Sequence, residues 1–234
     1  MVYITGDLHG EFERFKSDKI KRLKKDDFLI VCGDFGFIWD NSKKELRSRK
    51  KIGKCRFYTL FVEGINENRS LLETFPEEDF MGGKAVKIEG NIYMLKKGEV
   101  YDLCGKKFLA IGGGDEMDYI IESDSVSSPL SDDEKENTLN NLKAHGNSID
   151  YIITHDAPNS VKQFMDIGEY SFGHVCEFLD KIFESAEFTR WFFGKYHIDK
   201  QISYRLCAVY SKIYPLHDTL VVKNKKKNKK PDLV

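Results

Sequence analysis

The sequence has no run of about 18 or more consecutive apolar residues, which excludes a helical membrane span. It has no basic leader followed by an apolar stretch, so no secretory signal is visible and a cytoplasmic location is expected. An excess of one charge is also missing. The formal net charge is -1, which gives no electrostatic reason to expect a polyanion partner. Cysteine is sparse and poorly arranged for cross-linking. Cys32, Cys55, Cys104, Cys176 and Cys207 are odd in number, widely spaced and without a C-x-x-C pair. A disulfide framework is therefore not expected, in agreement with a reducing compartment. Cys32 and Cys207 fall in apolar runs and read as small buried hydrophobes. There is no internal repeat, and no linker splits the chain in two.

What is present is enough apolar material for a core. A chain of 234 residues with 41% hydrophobic content reads as one large globular domain. Its boundary falls at about residue 222. From Lys223 to Lys230 there are six lysines in eight residues, so 223–234 reads as a disordered, solvated tail. Such a tail leaves open a weak, salt-sensitive contact with nucleic acid or acidic lipid. No aromatic-basic recognition motif supports a nucleic-acid role beyond that.

The apolar runs Val2-Tyr3-Ile4 and Phe28-Leu29-Ile30-Val31 predict buried strands, with a third at 57–63. Between them, 11–25 reads as an amphipathic crossover helix and 42–54 as a Lys/Arg-rich helix. Another helix is expected from near Asn66 to before Pro76. This alternation predicts a parallel sheet with right-handed crossovers. Ile92–Leu95, Val100–Leu103 and Phe108–Ile111 read as antiparallel hairpins. Gly112–Gly114 reads as a flexible turn and 115–130 as a surface loop. Ser131 with Glu134 forms a capping box that opens a helix through about Ala144. A strand at 151–154, a helix at 173–185, a strand at 191–194 and closing strands at 202–210 and 219–222 complete the reading.

Two strings at strand ends carry chemistry: Gly6-Asp7-Leu8-His9-Gly10 and Gly33-Asp34-Phe35-Gly36. Side chains two apart on an extended segment point the same way, so Asp7 and His9 face one crevice. Asp34, at the end of a neighbouring strand, converges on it, where open α/β sheets bind ligands. Carboxylates with imidazole suit a divalent transition metal. Taken singly, each string is also what a turn looks like. Trp39, Trp191 and the Phe192-Phe193 pair read as core. His145, His174 and His217 match no string and read as surface or helix residues.

With these strings and three later ones, the chain resembles the calcineurin-like metallophosphoesterase family. The later segments are Gly64-Ile65-Asn66-Glu67-Asn68, Thr154-His155-Asp156-Ala157-Pro158 and Gly194-Lys195-Tyr196-His197. They stand where that family has G-N-H-[ED], a lone His after a strand, and G-H-x-H, over about residues 1 to 217. The resemblance implies a four-layer α/β/β/α sandwich, two mixed β-sheets flanked by helices. It implies a first metal held by Asp7, His9, Asp34 and His197, and a second set reduced to Asp34 and His155.

The departures shape the expected function. Ile65 replaces an amide ligand, Asn66 a histidine that assists the leaving group, and Lys195 a metal-binding histidine. Asn66 is no acid near neutral pH, though it could serve as the missing amide ligand. The Lys195 ammonium could stand in for the second cation, pair with Asp34, or reach solvent. Asp156 is an extra carboxylate beside the site. The expectation is a metal-dependent phosphoesterase of weak or altered activity. It would hold about one Mn, Fe or Zn ion per chain and take a phosphoester as its partner, with Asn66 and Lys195 as catalytic candidates. The alternative is a catalytically impaired binding module for a phosphorylated ligand or a protein. The oligomeric state is not legible.

Overall fold

The apolar strands pair as two mixed sheets, seen in a computed structural model that describes residues 1–114, 129–165 and 173–216. Most of the loop read over 115–130, the strand at 219–222, His217 and the lysine-rich tail lie outside these residues. In the first sheet β1 (Val2–Thr5), β2 (Phe28–Val31), β3 (Tyr58–Val62) and β6 (Ile92–Leu95) run parallel. Antiparallel strands close its edges: β5 (Gly83–Glu89) and β4 (Glu77–Phe80) on one side, β13 (Tyr214–Pro215) on the other. The second sheet has the order β11 (Lys200–Gln201), β12 (Leu206–Ala208), β10 (Glu187–Phe193), β9 (Ser148–Thr154), β8 (Lys106–Ile111) and β7 (Val100–Leu103). Its β12, β10, β9 and β8 are parallel.

Both faces of the parallel strands are covered, which is why they read as continuous apolar runs rather than alternating ones. Ile4, Ile30 and Leu60 of the first sheet pack against Phe108, Ile153 and Phe192 of the second. The residues between them in sequence, such as Leu29 and Phe61, face outward onto Phe15, Ile20, Ile52 and Leu72. Those come from a 3-10 turn (Phe12–Lys16) and from α1 (Asp18–Lys21), α2 (Lys43–Gly53) and α3 (Arg69–Leu72). On the far side, α4 (Asp132–Ala144), α5 (Asn159–Lys162) and α6 (His174–Ser185) cover Leu109, Ile152 and Trp191. The four layers are therefore those expected. Ile30 is fully buried in the central layer. Ile30→Ala should cost about 2–5 kcal/mol of stability, read as a lowered urea midpoint at unchanged m-value.

Three local expectations need correction. The helix over 11–25 is two short pieces, broken at Ser17, which is extended (ψ 145) and caps Ile20. The strands at 92–95 and 100–103 do not form a hairpin. The first stays in the parallel sheet beside β3, while the second crosses to the other sheet and pairs with β8. Gly112–Gly114 is not a free turn: Gly113 N–H donates to the Glu63 carbonyl at 2.7 Å. β4, β5 and α5 were missed. Glu77–Phe80 is too polar to read as a strand, and α5 spans a single turn. The Ser131/Glu134 capping box is present as expected. All five cysteines are free, with Cys32 and Cys207 buried. Among the described residues no helix is long and apolar enough to cross a membrane.

Candidate metal centre

Five parallel strands end at one place. β1 leads into Asp7 and His9, β2 into Asp34, β3 into Asn66, β9 into His155, and β10 into Lys195 and His197. The site thus sits at the carboxyl ends of strands from both sheets, where helical crossovers leave a crevice. The backbone is unusual there. His9, Asp34, Lys195 and His197 all have positive φ, between 42° and 63°. Non-glycine residues rarely adopt this region, and they hold it only where surrounding structure fixes them. Two glycines are needed by contact. A Cβ at Gly33 would overlap the His155 ring, and one at Gly194 would overlap the Asp7 carboxylate.

The ligand-type atoms form two groups that share Asp7. One is Asp7, Asp34 and His155, all buried. The other is Asp7 with the exposed His9 and His197. In the exposed group, His197 Nε2 lies 3.2 Å from Asp7 Oδ2, and the Nε2 atoms of His9 and His197 are 2.8 Å apart. His197 stacks on Tyr210, with ring centroids 4.8 Å apart. The Asp34 carboxylate bridges toward both groups: its Oδ2 is 3.8 Å from His9 Nδ1 and its Oδ1 is 3.8 Å from His155 Nε2.

His155 is the telling residue. Its Nδ1 lies 3.0 Å from the Cys32 carbonyl, which can only accept, so Nδ1 must donate. That fixes the tautomer of the neutral ring and leaves a lone pair on Nε2. Nε2 is fully buried, has no hydrogen-bond partner and faces the Asp34 carboxylate. A buried lone pair facing a buried carboxylate is unfavourable unless a cation lies between them or the ring takes up a second proton. A metal-binding histidine orients itself in the same way, donating its other N–H to a carbonyl. The donor set therefore fits a divalent cation.

The carboxylates are tuned in opposite directions. Burial pushes Asp7 above its usual range; His155 pulls against this, and the neighbouring Asp34 charge adds to the push. Asp34 is lowered: burial opposes this, but His155 and the Asn66 amide outweigh it. Asn66 Nδ2 donates to Asp34 Oδ2 at 2.7 Å, and the backbone N–H groups of Ile65 and Asn66 donate to Oδ1 at 2.8 and 3.1 Å. Asn66 thus reaches the site by hydrogen bonding to a candidate ligand.

Lys195 is mostly covered and does not reach out to solvent. Its ammonium donates to Asp156 Oδ2 at 2.6 Å, while its backbone N–H donates to Asp7 at 3.1 Å. Asp156 is itself buried, accepts from the Tyr196 hydroxyl, and lies 3.6 Å from Lys162 Nζ. The carboxylate read as an extra group near a metal is the counter-ion of two lysines.

Several supporting residues were not legible. Arg14 donates to the carbonyls of Asp7 and Tyr210 and to the Thr5 hydroxyl, which locks the first string in place. Glu67, fully buried, accepts from Phe35 N–H and Gly64 N–H at 2.6 and 2.7 Å and so joins the second and third strings. Its place in the third string was a signal, whereas Arg14 had none. His145 Nδ1 donates to the Asn141 carbonyl at the end of α4 and His174 opens α6, both away from the site. Trp191, Phe192 and Phe193 are core, but Trp39 is not: it is 47% exposed. No protein-family model matches the chain, and no curated protein matches it.

Proposed function

We propose that the chain is a metal-dependent phosphoester hydrolase of the calcineurin-like type with an altered second-metal position. The observation that carries this reading is the oriented, unpartnered Nε2 of His155 facing Asp34, beside the Asp7, His9 and His197 group. Asp7, Asp34 and His155 would hold a cation in the buried group, and Asp7, His9 and His197 one in the exposed group. A bound divalent cation supplies Lewis-acid polarisation of a phosphoryl oxygen and a hydroxide at neutral pH. The protein's part is placement. Arg14 and Glu67 fix the strings, Cys32 orients His155, and the Asn66 amide orients the Asp34 carboxylate.

Asn66 provides no proton for a leaving group near neutral pH. Missing general-acid assistance typically costs ~10²–10⁴ in rate, so turnover should be slow and favour good leaving groups such as aryl phosphates. The same observation supports the second reading, a phospho-ligand-binding module: Asn66 already occupies Asp34, and Ile65 offers only its backbone N–H.

The test is elemental analysis of protein purified without chelators, with steady-state hydrolysis of p-nitrophenyl phosphate in added Mn²⁺. At least one transition metal per chain and Mn²⁺-dependent turnover are expected. Metal without turnover favours the binding module. Absence of metal even after Mn²⁺ loading would overturn both readings.

A further inference from the structure

The site shares His9 and Asn66 with a cavity of about 420 Å³, within the range of small-ligand sites. Its lining includes His9 and Asn66 of the site together with Phe37, Trp39, Lys44 and Ser48. The Trp39 indole contacts no other aromatic ring among the described residues and leaves nearly half its surface open.

The loop that carries it is built, not loose. Glu45, buried, accepts from the N–H groups of Trp39 and Asp40 at 3.0 and 3.1 Å and is clamped by Arg49 at 3.3 Å. Asn68 Nδ2 donates to the Trp39 carbonyl at 2.7 Å, and Asn68 N–H to the Ile38 carbonyl at 2.9 Å. Asn68 is the last residue of the third string and caps α3. The indole's backbone is thereby tied to the strand end that also carries Asn66. The same cavity also has polar lining groups. The Ser48 hydroxyl and the Lys44 ammonium can hydrogen-bond the edge of a heteroaromatic ring, and neither has a use for a plain hydrocarbon one.

We infer that this cavity binds the base of a nucleoside phosphate, stacked on Trp39, with its phosphate directed toward His9 and Asn66. The inference rests on the phosphoester reading for the phosphate and stands on the cavity alone for the base. A planar base against an exposed tryptophan gains stacking whatever its sequence of heteroatoms, and removing the aromatic ring costs about tenfold or more in affinity.

Fluorescence titration of the intact chain separates the two parts. Trp191 is fully buried, so quenching by a ligand reports Trp39. Adenosine should quench with or without Mn²⁺, and AMP should bind more tightly than adenosine once Mn²⁺ is added. Ribose 5-phosphate should leave the fluorescence unchanged. By calorimetry, Trp39→Ala should weaken AMP binding about tenfold or more, while Trp39→Phe retains most of it. If adenosine fails to bind, or if phenyl phosphate binds as tightly as AMP, the base site is wrong even when Mn²⁺-dependent hydrolysis is found. If adenosine binds and Mn²⁺ changes nothing for AMP, the base site stands and the phosphoester reading falls.

Discussion

Asp7→Ala should strip the chain of stoichiometric metal and lower Mn²⁺-dependent hydrolysis by at least about 100-fold. Loss of even an outer-shell partner of a metal typically costs about 10–100-fold in affinity or activity, and a shared ligand is worth more. Asp7 is the residue common to the buried and exposed groups, so its loss damages both at once. His197→Ala removes a ligand-type atom from the exposed group alone, and His155→Ala from the buried group alone. Metal content of the three variants therefore tells which group binds. A loss confined to His197→Ala assigns the exposed group, and one confined to His155→Ala the buried group. Unfolding controls for an artefact. Burial holds Asp7 above its usual range, with Asp34 adding to this against the pull of His155, so its ionised form works against the metal-free fold. A folded-state pKa above the unfolded one means this charge costs stability at neutral pH. Metal-free Asp7→Asn should then be at least as stable as the parent in urea while still failing to hold metal. A variant that merely unfolds would show the opposite.

The second large effect concerns Asp156. Asp156→Ala should destabilise the protein by about 3–5 kcal/mol near neutral pH, because it leaves buried positive charge facing an emptied position. Burial alone would raise the Asp156 carboxyl, yet Lys195, Lys162 and the Tyr196 hydroxyl hold it well below the usual carboxylate range. Its contribution is thus fully present above the unfolded-state value of about 3.9 and fades as pH falls below it toward the folded value. Urea unfolding of parent and variant should show a gap that is flat from neutral pH to about pH 5 and narrows in more acidic solution. A gap that stayed constant down to strong acid would mean that Asp156 acts through packing, not charge.

The sheets were legible because parallel strands buried on both faces must be apolar throughout, as at Phe28–Val31 and Tyr151–Thr154. The site strings were legible for a related reason: Asp7, His9, Asp34, His155 and His197 each follow such a run. What failed was whatever depends on distant residues. Nothing local marks Glu77–Phe80 as a strand, because its pairing with β5 supplies what its side chains lack. Ser17 splits a pattern that is helical by periodicity, since its side chain prefers to cap. Lys195 illustrates the limit most clearly. Its position in the fifth string predicts where its backbone lies, and its N–H does meet Asp7. Where its ammonium goes was decided by Asp156, whose role needed the folded arrangement to be seen.

The ligand-type residues come from both ends of the chain and from both sheets. Asp7 and Asp34 hang from the first, His155 and His197 from the second, and a cluster of buried apolar and aromatic side chains fills the layer between the sheets. A cation held there is a rivet through the whole sandwich. It would close a loop running nearly the full length of the fold, from Asp7 to His197, and loop-closure entropy grows only slowly with such length. Any ion bound to the folded form alone also adds to the cost of unfolding, by about 2.7 kcal/mol at a free concentration of 100 times its dissociation constant. Sheet docking and metal retention thus become one cooperative event. Loosening the apolar layer far from the crevice would release the ion, and chelating the ion would loosen the layer.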